Sequence, residues 1–260
     1  MCRWIAYCGE PIFVEELVTL PEKSLIVQSH SSLEGKSAVN GDGFGIGWYG
    51  ERAEPGVFRD VRPAWSDENL ISLARQIRSP MFFAHVRAST GTATMRANCH
   101  PFSHGNLLFM HNGGIGNWDA VRRPLEAALP DDLYRTRSGT TDSEVIFLLL
   151  VANGLADDPK GAFQRTIGFV EKLMCEAGIT EPLRVTAAAS DGRAIHAVRY
   201  STLIAPETLY VRSLKRCHGL LVASEPFDEG RQDWEAIPPQ SFVTLEREHL
   251  HIEPFAPLAA

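Results

Sequence analysis

The longest unbroken apolar run in this chain, residues 145–152, directly follows Thr141-Asp142-Ser143-Glu144. Thr, Asp and Ser side chains accept hydrogen bonds from the free N–H groups of a helix start, so this junction reads as an N-cap and the helix it opens. A second helix is expected over 162–177, where Phe163, Ile167, Val170, Leu173 and Met174 form the apolar set. Strand patterns flank the pair. Before it, strands are expected over 3–7, 43–49, 81–86 and 106–110. After it, they are expected over 183–189, 194–200, 209–211, 220–224, 242–246 and 249–253. Residues 67–77 and 117–128 read as further helices, and 21–40 as an irregular connection. Two paired helices between two strand-rich regions predict an α+β fold in which sheets and helices stack in layers.

The same apolar run is far shorter than the roughly 20 residues that span a bilayer. Arg3, Glu10, Glu15 and Glu16 interrupt any signal-like stretch at the N-terminus. A net charge of −7 announces no basic surface for nucleic acid. The five cysteines, Cys2, Cys8, Cys99, Cys175 and Cys217, are odd in number, widely spaced and free of any CxxC. That pattern points to neither a zinc site nor a disulfide framework, and to a reducing compartment; the expected location is cytoplasmic. With 44% hydrophobic residues and no repeat or linker, one domain over 1–260 is expected. No cofactor and no metal are called for.

Cys2 is the first candidate for chemistry. Removal of Met1 would put a thiol and a free α-amine on one residue, and an N-terminal amine is a base for such a nucleophile. Its unperturbed pKa of about 7.7–8.0 leaves a useful neutral fraction near neutral pH. A thiolate attacking a carbonyl also needs an oxyanion site. In His111-Asn112-Gly113-Gly114, Asn112 can donate a side-chain N–H and Gly113 allows close backbone approach, although Asn-Gly also reads as a turn. Arg87, just past the apolar Phe82-Phe83-Ala84, needs an anionic partner: a substrate carboxylate or a protein carboxylate. Asp142 is either a cap residue or a receptor for a substrate ammonium.

Other features carry less. Asn40-Gly41-Asp42-Gly43-Phe44-Gly45 resembles a phosphate loop, but no Gly-Lys-Ser/Thr follows, so nucleotide binding is rejected. Within 43–49 the glycines alternate with Phe44, Ile46 and Trp48, which lets a neighbour pack closely on one face. Cys99-His100 with His85 suggests a Cys–His dyad, and His249 with His251 suggests a metal site. Pairs of this kind are more often structural or surface features.

As an ordered set, Cys2, the 40–45 glycine segment, His85 to Gly91, His111-Asn112-Gly113 and Thr141-Asp142-Ser143-Glu144 resemble the class II glutamine amidotransferase domains of the N-terminal-nucleophile hydrolases. The resemblance covers about residues 2–150. Through Asn98-Cys99-His100-Pro101-Phe102 and His111-Asn112-Gly113-Gly114-Ile115 the chain resembles stand-alone members of glutathione degradation, and through Cys2-Arg3-Trp4-Ile5-Ala6-Tyr7 it is similar to those of ergothioneine synthesis. The resemblance implies a four-layer αββα sandwich of two antiparallel sheets. It implies Cys2 as nucleophile, its α-amine as base, and Asn112 with the Gly113 N–H as the oxyanion site. It implies Arg87 for the substrate α-carboxylate, Thr90 for a nearby polar contact and Asp142 for the α-ammonium.

Two departures bear on activity. Arg3 stands where most amidotransferase domains have glycine, and no synthase domain follows the motifs within this sequence. The leading expectation is a γ-glutamyl amide hydrolase acting on glutamine or on a γ-glutamyl peptide or amine. The alternatives are a glutaminase subunit supplying ammonia to a separate synthase partner, and a non-catalytic glutamine-sensing domain.

Overall fold

The computed structural model describes residues 2–34, 39–89, 91–203, 206–227 and 233–259. Two sheets face each other. The first joins β1 (Arg3–Phe13), β2 (Phe44–Tyr49), β3 (Gly56–Asp60), β4 (Arg78–Val86), β9 (Tyr210–Leu214), β10 (Gly219–Ala223) and β11 (Glu235–Ala236), in the order β11-β9-β10-β1-β4-β2-β3. The second joins β5 (Phe102–His104), β6 (Leu107–Gly114), β7 (Arg184–Ser190), β8 (Ile195–Ser201), β12 (Ser241–Glu246) and β13 (His249–Pro254), in the order β13-β12-β8-β7-β6-β5. The pairings in both sheets are antiparallel.

Strand alternation builds the layers. On β1, Trp4, Ala6 and Cys8 enter the core between the sheets, while Ile5 and Tyr7 face helices α1 (Glu15–Val18), α2 (Leu25–His30) and α3 (Glu68–Gln76). On β6, Leu108 and Met110 face inward, while Leu107 and Phe109 face α4 (Trp118–Ala127), α5 (Asp131–Thr136), α6 (Asp142–Ala152) and α7 (Pro159–Glu176). The result is the αββα sandwich. Helix α6 packs against β6, α4, α5 and α7, which accounts for its apolar sequence all round. No helix among the described residues is long and apolar enough to cross a membrane.

The structure adds to the sequence reading in several places. The 21–40 segment contains α2, whose Ser24 hydroxyl accepts from Val27 N at 3.3 Å. Strand β1 continues past residue 7 to Phe13, with a register shift between Cys8 and Ile12. Strands β3, β5 and β11 and helices α1 and α5 are also additional. The glycine alternation of β2 serves close packing: a Cβ on Gly45 would lie 2.2 Å from the His100 carbonyl oxygen, and one on Gly47 2.8 Å from Pro101 Cγ.

Candidate active site

The pairing of β1 with β4 runs Arg3 opposite Val86, so Cys2 meets the chain just beyond β4. Its Sγ lies 3.7 Å from the Ala88 carbonyl oxygen. Asn112, on the inner side of β6, donates from Nδ2 to the Cys2 carbonyl oxygen at 2.9 Å. Contacts from both sheets thus converge on Cys2 at one end of the inter-sheet layer. A cavity of about 220 Å³ opens there, lined among others by Cys2, Arg87, Asn112, Gly113, Asp142 and Arg184. Five of the six expected site residues therefore share one cavity. The sixth, Thr90, lies outside the described residues.

Arg87 is buried at 3% exposure and is oriented by its own loop. Its Nη1 donates to the Asp42 carbonyl at 3.3 Å, and Nη2 to Thr92 Oγ1 at 2.6 Å and Ser89 Oγ at 3.2 Å. Asp42 braces the same loop, its carboxylate accepting from Ser89 N at 2.7 Å. The glycine segment around Asp42 is thus scaffolding for Arg87. No protein carboxylate is paired with the Arg87 guanidinium among the described residues.

Asp142 opens α6, but the cap is Thr141, whose Oγ1 accepts from Glu144 N at 3.3 Å. That frees the Asp142 carboxylate for another role. Ile115 N donates to Oδ2 at 2.9 Å and Ser143 N to Oδ1 at 2.8 Å, which fixes its direction and leaves lone pairs over. Gly113 has φ +144°, and a Cβ there would lie 2.1 Å from the Arg184 carbonyl oxygen, so no larger residue fits this point of β6.

Electrostatics set the protonation states. Burial pushes the Cys2 thiol up, against the lowering effects of the Ala88 contact and of the Arg87 and Arg3 charges. The thiol is therefore protonated near neutral pH and needs a base when it attacks. Burial lowers His111, keeping it neutral. Its Nε2 lies 3.1 Å from the Arg184 carbonyl, an acceptor only, so Nε2 carries the proton; Nδ1 then accepts from the Ser143 hydroxyl at 2.9 Å. This network ties β6, β7 and α6 together behind Asp142. Burial likewise holds His85 down to about 3 and His100 well below its usual range.

Cys99 and His100 do not form a dyad: the buried Cys99 thiol lies 3.4 Å from the Asp60 carbonyl oxygen, and the His100 ring packs 4.4 Å from that of His85. His249 and His251 sit on edge strand β13. No group of three or more His, Cys, Asp or Glu among the described residues is arranged to hold a metal ion.

Sequence reasoning missed the roles of Asp42, Ser89, Thr92, His111 and Ser143. It also missed Arg184, which lines the cavity and has Glu207 Oε1 3.7 Å from its Nε. A charged residue opening an otherwise apolar strand was the available signal for Arg184.

Comparison with known proteins bears on this constellation. The family model of the class-II glutamine amidotransferases matches residues 20–210. The probable glutamine amidotransferase DUG3 of Saccharomyces cerevisiae is 33% identical, over 98% of this chain and 84% of its own. A gamma-glutamyl-hercynylcysteine sulfoxide hydrolase of Mycolicibacterium smegmatis is 30% identical, over 98% of this chain and 100% of its own. A glutamine aminotransferase class-II domain protein of Silicibacter pomeroyi of solved structure superposes with a TM-score of 0.80 at 37% identity, covering 99% of this chain and 100% of that one.

Proposed function

The chain belongs to the class-II glutamine amidotransferases, and on that premise we propose that it hydrolyses γ-glutamyl amides with the Cys2 thiol as nucleophile. The observation that carries the reading is the convergence of Cys2, Asn112, Gly113, Arg87 and Asp142 on one cavity. A γ-glutamyl group has an α-carboxylate and an α-ammonium at one end and the scissile carbonyl at the other. Arg87 reads the carboxylate and Asp142 the ammonium, each as a charge-assisted contact.

With Met1 removed, the Cys2 α-amine takes the thiol proton as Sγ attacks the γ-carbonyl carbon. Asn112 Nδ2–H and the Gly113 N–H stabilise the oxyanion. The tetrahedral adduct collapses, the C–N bond breaks, and the leaving amine takes its proton from the α-ammonium. The amine then deprotonates a water, which attacks the thioester and releases glutamate and the thiol.

The leaving group is glutamine ammonia or the amine of a γ-glutamyl peptide. One observation favours the second. Two cations, Arg87 and Arg184, and one carboxylate, Asp142, line the cavity among the described residues. The glutamyl zwitterion uses Arg87 and Asp142. Arg184, which already faces Glu207 Oε1 at 3.7 Å through its Nε, has further guanidinium N–H groups with which to meet a carboxylate on the leaving amine, a feature ammonia lacks. The relatives support amide hydrolysis in general: one is a probable glutamine amidotransferase and one a γ-glutamyl hydrolase.

A substrate panel tests the reading. Glutamine, γ-glutamyl dipeptides and γ-glutamyl alkylamines are offered to the purified protein, with Cys2→Ala as control, and glutamate release is measured. Turnover that needs Cys2 is the expected result. Full activity in Cys2→Ala, or Met1 retained in active protein by intact mass, would sink it.

A further inference from the structure

The Cys2 carbonyl oxygen accepts a second hydrogen bond, from Arg3 Nη1 at 3.1 Å, beside the one from Asn112 Nδ2 at 2.9 Å. A carbonyl has two lone pairs, and both are occupied. The peptide that carries the thiol is thus fixed from two directions, by its own strand and by the facing sheet.

Arg3 is 1% exposed, and a buried cation is costly unless it is paired and hydrogen-bonded. Its Nε lies 3.2 Å from Oε2 of Glu225, which is equally buried. Glu225 accepts hydrogen bonds from Leu33 N at 2.9 Å and Glu34 N at 3.0 Å. The Glu34 carboxylate in turn accepts from the Tyr210 hydroxyl at 2.9 Å. A continuous chain of contacts therefore runs from β9 through residues 33–34 and Glu225 to Arg3 and the Cys2 carbonyl. The guanidinium faces Glu225 as an ion pair on its Nε side while Nη1 donates to the carbonyl, two directions held at a fixed angle. A lysine ammonium has no such fork.

We propose that Arg3 is a positioning residue for the Cys2 nucleophile, aimed by Glu225. The inference rests on the hydrolase reading above. It assigns Arg3 to the orientation of the attacking group; recognition of the glutamyl end belongs to Arg87 and Asp142.

Two variants test it. Arg3→Lys keeps the charge beside Glu225 but loses the fork. The double variant Arg3→Met/Glu225→Leu removes both charges at similar volume, the change that buried ion pairs tolerate best. Folding is followed by circular dichroism. Turnover is expressed per Cys2 thiol titrated with a chloroketone analogue of glutamine, so misfolded molecules are not counted. Misplacement of a reacting group by about 1 Å costs as much as 10²-fold. The expected result is a fall in kcat of about 10- to 100-fold in both variants, with KM within about twofold of the parent. Retention of kcat within about twofold in either folded variant would overturn the inference, as would a raised KM at unchanged kcat. Failure of both variants to fold would make the pair a requirement of the fold and overturn it too. Absence of turnover in the unmodified protein would overturn the hydrolase reading and this inference with it.

Discussion

Cys2 immediately precedes β1 and Cys8 lies within it, facing the core between the sheets, and burial raises the thiol of each. Sequence periodicity treats them alike, yet their surroundings differ in kind. Cys8 is 1% exposed, its Sγ is 3.8 Å from the Arg247 carbonyl, and its thiol is pushed up to about 11. The Glu246 carboxylate raises the thiol further, and the cavity that Cys8 lines also holds Glu10 and Glu248. Cys2 opens onto a cavity whose charges match a glutamyl zwitterion, and its carbonyl is gripped by Asn112 and Arg3. On the proposed mechanism, a buried thiol becomes a nucleophile through the base and the substrate-reading groups around it. A low thiol pKa is not the requirement.

The largest effect should follow from exchanging these two residues for alanine. Cys2→Ala is expected to lower kcat/KM by at least about 10³-fold, whereas Cys8→Ala keeps turnover within about twofold. Glutamate release measured on both variants checks this, and comparable losses would erase the distinction. Next comes the oxyanion site. Asn112→Ala should reduce kcat by about 10²- to 10³-fold with a small change in KM, read from steady-state kinetics. A rise in KM alone would move Asn112 from the reacting carbonyl to substrate binding.

A smaller loss is expected for Asp142→Asn, which keeps the shape of the side chain and removes its charge. Loss of one charge-assisted contact, about 1.5–3 kcal/mol, corresponds to a fall of about 10- to 100-fold in kcat/KM. A γ-glutamyl analogue lacking the α-amine should be equally poor with parent and variant. If the variant discriminates between the two substrates as the parent does, Asp142 does not read the ammonium.

The smallest effect sharpens the Cys8 side. Its thiol stays protonated in the folded state up to about 11, whereas an ordinary thiol ionises near 9. The unfolded chain therefore binds fewer protons between those values, and stability falls as pH rises through that window. The contribution of Cys8 is present in full below pH 9 and is lost by about 1.4 kcal/mol per pH unit above it. Denaturant unfolding of Cys8→Ala should show a shallower alkaline decline than the parent. An identical decline would mean that Cys8 is not the buried thiol described above.

What could be read from the sequence follows the range of the interactions. Strands β4, β6 and β7 and helices α6 and α7 carry strong periodic or unbroken apolar patterns and were legible. Strand β3 is half-buried along its whole length at a sheet edge, and α1 has only four residues, so neither imposes a pattern. In the site, Cys2, Arg87, Asn112, Gly113 and Asp142 stood out because their order matched a family. Their supports did not. The His111–Ser143 contact and the Arg3–Glu225 pair join residues far apart in the chain, brought together by the packing of α6 on β6 and by the pairing of β1 with β10. Thr141, not Asp142, caps α6, and side-chain type alone could not separate those two roles.

The most direct test of the central claim is acid quenching during turnover of a γ-glutamyl substrate, followed by intact-mass and peptide-mass analysis. The account predicts an adduct of one γ-glutamyl group on an N-terminal peptide that begins at Cys2 and lacks Met1. An adduct on Cys99 or any other residue, or turnover by protein that retains Met1, would contradict it.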